Sequence, residues 1–205
     1  GGQHPRFFRI PRDGGAETML LDGDLEGEGK AYFSLASADH SPDHTRMIWG
    51  SDDKGSEFYT LRVRDLTTLA DATDVVTETS GDGVWNAQST GFYYTKVDAN
   101  HRPSRLFYHV LGQPESADRL IHEEMDPGFF MGVSGSALDD FIFIDCHDHE
   151  TSEVWLLDAR DAASEPRLVA ARQSGVEYSM TEGGDVFYIL TNIVSHCGFE
   201  FAFLQ

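Results

Sequence analysis

Apolar and polar positions along this chain follow a beat that returns about every 46 residues. Each unit carries a run that is apolar on both faces, then a polar gap, then an alternating segment that opens onto a turn. The apolar runs begin at Met47, Phe92, Phe141 and Val186, and the alternating segments begin near Phe58, Arg105, Glu153 and Phe199. Runs such as Phe92-Tyr93-Tyr94 and Phe141-Ile142-Phe143-Ile144 have no polar side, as suits a strand covered on both faces. Their aromatic rings therefore read as core rather than as a ligand platform. Units of roughly 40 to 50 residues with four short strands are the mark of β-propeller blades, which must stack on neighbours to bury their faces.

Turn chemistry divides the beat into strands. The first unit, residues 1–22, holds two, Arg6 to Ile10 and Glu17 to Leu21, across the turn Pro11-Arg12-Asp13-Gly14-Gly15. Residues 31–78, 83–123 and 128–171 each hold four, and residues 175–205 hold three, the last being Phe199 to Leu204. The pattern predicts an all-β chain of about seventeen strands: three complete four-stranded blades between two incomplete ones. Helix-like spacing of Leu66, Leu69 and Ala70 is outweighed by two threonines and by the strands on either side, so a long turn is expected there. The chain enters its repeat at a third strand and leaves after a third strand. This phase predicts an arc with open terminal blades able to self-associate.

Charge then narrows the partners. The 205 residues carry 35 acidic and 15 basic side chains, a formal net charge of -20 that repels a phosphate backbone, so nucleic acid is excluded as a partner. No run of 18 apolar residues exists and the start Gly1-Gly2-Gln3-His4-Pro5 resembles no signal peptide, so no membrane contact is expected. Cys146 and Cys197 read as reduced thiols at equivalent places in successive blades, which suits the cytoplasm and leaves the periplasm open. Acidic residues divide about equally between the two loop faces, so general attraction of basic peptides and ordinary solubility explain the charge equally well.

Two stretches look chemical. Asp145-Cys146-His147-Asp148-His149-Glu150 contains donor types that suit zinc, with His147 and His149 as the weak candidates. Its spacing matches no recognised site and it falls in a hairpin loop, so a solvated loop is expected unless His196 and Cys197 approach it. No metal and no cofactor are predicted. Gly132-Val133-Ser134-Gly135-Ser136 approaches a nucleophile elbow, but its second glycine comes one place too early and a hairpin turn is expected instead. No aspartate and histidine follow in hydrolase order, so no catalytic residue is expected in this chain.

An ordered series of short motifs resembles a known family. Ser41-Pro42-Asp43, Gly55-Ser56-Glu57-Phe58-Tyr59-Thr60-Leu61-Arg62-Val63-Arg64-Asp65-Leu66, Phe92-Tyr93-Tyr94-Thr95, Asp98 and Arg102-Pro103 come first. His109-Val110-Leu111-Gly112, Glu123-Glu124-Met125-Asp126, Phe129-Phe130, Ser152-Glu153-Val154-Trp155, Val176-Glu177-Tyr178 and Thr191-Asn192 follow. Together they resemble the propeller domain of the prolyl oligopeptidase family, in its oligopeptidase B (protease II) branch. The resemblance implies a serine peptidase in which a seven-bladed propeller caps a C-terminal α/β-hydrolase domain, admits short peptides and excludes folded proteins. It implies cleavage after Arg or Lys, with this chain as a non-catalytic gating segment and the hydrolase domain outside it. It also implies that the junction Thr79-Ser80-Gly81-Asp82-Gly83 faces substrate, with Asp82 and Glu78 as carboxylates for a basic group. A Gly-rich turn whose aspartate caps backbone amides is the alternative there. A stand-alone propeller used as a binding scaffold is the alternative function, though the chain lacks the Gly-His and Trp-Asp signature of WD40 repeats.

Overall fold

In the computed structural model, which describes residues 2–193, antiparallel hairpins follow one another along the described residues. Strands β1 (Arg6–Arg9) and β2 (Thr18–Asp22) pair first, and a single helical turn, α1 (Gly23–Glu26), follows with Asp22 accepting the Asp24 N–H as its cap. A seven-stranded sheet comes next, in the order β3 (Ser34–His40), β4 (Arg46–Asp52), β5 (Tyr59–Asp65), β6 (Asp71–Trp85), β7 (Gly91–Val97), β8 (Pro103–Val110) and β9 (Arg119–Glu123). Strands β10 (Phe130–Gly135), β11 (Phe141–His147), β12 (Ser152–Asp158) and β13 (Arg167–Ala170) make a four-stranded sheet. A last hairpin joins β14 (Tyr178–Glu182) to β15 (Phe187–Thr191). The expected strand Phe199 to Leu204 lies outside the described residues.

Strict alternation sorts the apolar residues into four seams between successive repeats. On β4, Met47 and Trp49 pack against Leu20, Leu21 and Leu66, while Ile48 packs against Leu61, Val76, Phe92 and Tyr94 on the other side. On β7, Tyr93 turns the opposite way from Phe92 and Tyr94 and joins Leu106, Met131, Ile142 and Ile144. On β11, Phe143 leaves Ile142 and Ile144 to pack with Val154, Leu156 and Tyr178. Period 2 thus sends neighbouring side chains of one strand to two different seams, which is why these strands are apolar at every position. Phe92, Tyr93 and Tyr94 are each no more than 1% exposed, so all three are core. Full burial of each such side chain stabilises by about 1.5–3 kcal/mol relative to leaving it exposed.

In the second, third and fourth repeats the turns that join first to second strands share one geometry. Ser41, Asn86 and Ser136 each donate their N–H across the hairpin, to Arg46 O, Gly91 O and Phe141 O. Each also accepts from the residue three places on, and those residues, His44, Ser89 and Asp139, have φ of 59, 57 and 61. A tight turn closed by one left-handed residue is a standard hairpin solution, and Asp is one of the residues that tolerate it. Ser41 Oγ donates to Asp43, which holds that carboxyl at about 2. The Asp43 N–H in turn donates to Ser89 Oγ in the next repeat. The Ala87 N–H reaches Ala159 O in the repeat after that.

Two sequence expectations need correction. Gly132 to Gly135 lies within β10, where Ser134 pairs with Phe143, and the turn begins only at Ser136. The second correction concerns the repeat junction. Thr79 to Gly83 is not a turn but the interior of the 15-residue β6, whose first part pairs with β5 and whose last part pairs with β7. The pairing shifts register between Thr79 and Gly83, an irregularity within one continuous strand, so the chain passes from one repeat to the next without a separate turn.

Candidate functional site

The β6 junction is shaped by close backbone contact. Gly81 has a φ of +101, and a Cβ there would come within 2.6 Å of the Ala36 Cβ; a Cβ on Gly50 would come within 2.3 Å of Gly81 O. Both positions therefore need glycine, for conformation at the first and for space at both. Thr79, fully buried, donates its hydroxyl to Tyr59 O at 3.0 Å and accepts the Gly81 N–H at 3.1 Å. Ser37 Oγ donates to Gly81 O, and Ser80 Oγ lies 2.8 Å from Thr95 Oγ1. Hydroxyls from two strands, Thr79 on β6 and Ser37 on β3, thus bond the backbone around the register shift.

That arrangement changes the reading of the two carboxylates. The amide-capping role expected of Asp82 belongs to Thr79 instead. Asp82 and Glu78 are both exposed, and neither has a hydrogen bond or ion pair among the described residues. Glu78 also holds a φ of 58, a conformation that glycine accepts more easily than glutamate. Two unpaired carboxylates on a rigid, hydroxyl-braced strand can receive a cationic group from solvent.

The Asp145 to Glu150 cluster is split by the fold. Asp145, Cys146 and His147 belong to β11, and Asp148 spends its carboxylate on the N–H groups of Glu150 and Thr151. The His147 ring lies 6.4 Å from that of Phe130, and His149 is exposed. Among the described residues no group of three His, Cys, Asp or Glu side chains is placed to hold a metal ion, and His196 and Cys197 lie outside them. Cys146 is a free thiol turned into the core, 3.9 Å from His122 Nε2, and burial pushes it up to about 12.

Two cavities were not legible in the sequence. One, of about 570 Å³, lies between the last two repeats, lined by Asp145, His147, Ser152, Ser179, Leu190 and Thr191 among others. Burial pushes the Asp145 carboxyl up there, against the pull of His147. The second, of about 260 Å³, opens among the first strands of three repeats, with Asp39, His40, Trp85 and Asp139 on its wall, and burial raises Asp39. Among the described residues no helix is long and apolar enough to cross a membrane.

Comparison with known proteins places this architecture. The family description "Prolyl oligopeptidase, N-terminal beta-propeller domain" matches residues 3–198. Dipeptidyl aminopeptidase BI of Pseudoxanthomonas mexicana is 33% identical over 181 residues, covering 88% of this chain and 25% of the relative. Protease 2 of Moraxella lacunata is 32% identical over 178 residues, covering 86% of this chain and 26% of the relative. The structure of oligopeptidase B from Leishmania major superposes with a TM-score of 0.89 at 28% identity, covering 94% of this chain and 28% of that one. The chain therefore spans about a quarter of the length of the relatives it matches. Blade-like seams, hairpin turns of one repeated geometry and a match over nearly every residue lead to one conclusion: this chain belongs to the prolyl oligopeptidase family, as part of its N-terminal β-propeller domain.

Proposed function

We propose that this chain is the substrate-gating part of a serine oligopeptidase of the oligopeptidase B type, and that it does no chemistry itself. The observation that carries the reading is the superposition on Leishmania major oligopeptidase B over 94% of the chain. In this reading a C-terminal α/β-hydrolase domain beyond the chain supplies the nucleophile, and short peptides are cleaved after Arg or Lys. The blade arc acts as a sieve whose rigidity comes from four apolar seams and whose net charge of -20 raises the local concentration of cationic peptides. Glu78 and Asp82 are the contacts for a basic side chain. A reducing, cytoplasmic setting suits the free thiol at Cys146. The last hairpin exposes Tyr188 and Leu190, at 67% and 77%, as a face for self-association of the isolated chain.

The test is hydrolysis of short peptides that differ only before the scissile bond, by the full-length product of the gene. Cleavage after Arg and Lys is expected, with none by the isolated chain. A full-length product without peptidase activity would leave the stand-alone binding scaffold in its place. Within an active enzyme, the Glu78→Gln, Asp82→Asn double variant should raise KM for Arg peptides by up to about fivefold with kcat unchanged, as expected for an exposed charge contact of about 0.2–1 kcal/mol. An unchanged KM would remove both residues from the substrate path.

A further inference from the structure

The seam between the second and third repeats contains a charged group that no peptidase role requires. His109, on β8, is fully buried, and both of its ring nitrogens face carboxylates. Nδ1 lies 2.7 Å from Asp118 Oδ1, and Nε2 lies 3.1 Å from Asp74 Oδ1. The side chains of Asp74 and Asp118 are only 7% and 2% exposed. Each carboxylate also receives another donor: the Gly112 N–H reaches Asp74 Oδ1, and the Tyr94 hydroxyl reaches Asp118 Oδ2 at 2.7 Å. Ionised carboxylates only accept, whereas a neutral imidazole has one N–H and one lone pair. A neutral ring would therefore aim a lone pair at one of the two oxygens. Only the imidazolium donates to both.

The surroundings reinforce that state. From β7, the Phe92 ring sits 5.0 Å from the His109 ring, and Tyr94 reaches Asp118. From the single 3₁₀ turn Glu115–Ala117, Glu115 faces the same region, but Lys96 of β7 neutralises it through an ion pair of 2.5 Å. Asp74 and Asp118 thus have His109 as their cation. Removing its charge leaves two uncompensated buried carboxylates, which is strongly unfavourable. The contacts also join different repeats: Asp74 lies in the part of β6 that pairs with β5, whereas His109, Gly112 and Asp118 belong to the third repeat. Glu115 adds a second fastening by accepting from the N–H and hydroxyl of Thr77 on β6.

We propose that His109 is a buried imidazolium that pins the second repeat to the third, and that loss of its second proton opens this seam at the 111–118 turn. The device is alkaline-sensitive by sign: the closed seam holds one more proton than the open one, so rising pH favours opening until the closed ring has itself lost that proton, after which pH has no further effect. It gives the arc one seam that can loosen at its 111–118 turn while the other three stay packed.

Nitrogen-15 NMR of the His109 ring in the unmodified chain tests the first half. Protons on both ring nitrogens at pH 7 are expected; one bare nitrogen in the folded protein overturns the proposal. Amide hydrogen exchange tests the second half. After correction for intrinsic rates, protection across residues 71–77 and 111–118 should fall by up to about tenfold per pH unit while opening releases the ring proton, and level off once the closed ring has lost it, while β11 amides hold theirs. His109→Gln should show low protection at the rim that no longer varies with pH. Rim protection in the unmodified chain that parallels β11 at every pH would refute the seam opening, whether or not the variant folds.

Discussion

The two middle seams are built on opposite faces of one strand, β7, yet they are held by different physics. Phe92 and Tyr94 face the second repeat, where an apolar cluster meets the Asp74, His109 and Asp118 network and the Tyr94 hydroxyl has a carboxylate partner. Tyr93 faces the fourth repeat, where eleven buried apolar residues form the larger cluster and, among the described residues, its own hydroxyl has no hydrogen-bond partner. Buried charges at that second seam meet partly exposed cations: Arg102 donates to the carbonyls of Asp126 and Phe129, and Arg172 bridges the buried Glu124 and Glu153 while stacking 3.9 Å from the Phe129 ring. Hydrophobic burial is non-directional, whereas a buried charge network is satisfied in one geometry only. The first seam is therefore fixed in register by its buried polar network; the second rests on the larger apolar cluster.

The largest test breaks the polar seam. Asp118→Ala strips a carboxylate from both His109 and Tyr94 and should destabilise the chain by about 3–5 kcal/mol, the usual cost of leaving a buried charge without its partner. Urea unfolding measures it. A loss below about 1 kcal/mol would mean that the network is hydrated and the two seams are alike.

A smaller effect belongs to the apolar seam and to alkaline solution. Burial raises the Cys146 thiol from 9.0 to about 12, so the unfolded chain ionises first. The stabilising contribution is complete below about pH 9 and is lost between about pH 9 and pH 12, at up to about 1.4 kcal/mol per pH unit. Tyr93, raised to about 12 by the same burial, adds its own loss only above about pH 10. Unfolding midpoints for the chain and for Cys146→Ala should therefore diverge in slope between pH 9 and pH 10; parallel slopes would show that the thiol is hydrated in the folded state.

The smallest effect is a gain. Tyr93→Phe removes the unpartnered hydroxyl without changing the ring, and a buried unsatisfied group costs about 1–3 kcal/mol. The variant should be more stable by about 1 kcal/mol in the same unfolding experiment. Tyr94→Phe, across the strand, should lose stability because it abandons the Asp118 bond. Equal signs at the two positions would erase the contrast between the seams.

Much of the architecture was legible because it rests on local pattern. Strands from Gly91 to Val97 and from Phe141 to His147 begin where their apolar runs begin, since period 2 and turn residues are properties of neighbouring positions. The junction Thr79 to Gly83 misled because two glycines and an aspartate are turn chemistry, while the decisive contacts come from Ser37, Gly50 and Tyr59 on other strands. Ser134 misled in the same way, its glycine neighbours lying inside β10. At the candidate site, the sequence could nominate Glu78 and Asp82 but could not show that Thr79 takes over the capping role and leaves both exposed.

The sequence by itself determined the repeat, the order of strands and which faces are apolar, because these follow from side-chain alternation along an extended backbone. It also carried the ordered motifs of the family. Only the tertiary structure decided which seam each aromatic enters, that β6 serves two repeats without a break, and that His109 meets two aspartates 35 and 9 residues away. Those outcomes depend on distances between strands of different repeats, where burial removes water and lets a few charges choose one geometry, and no local pattern encodes that.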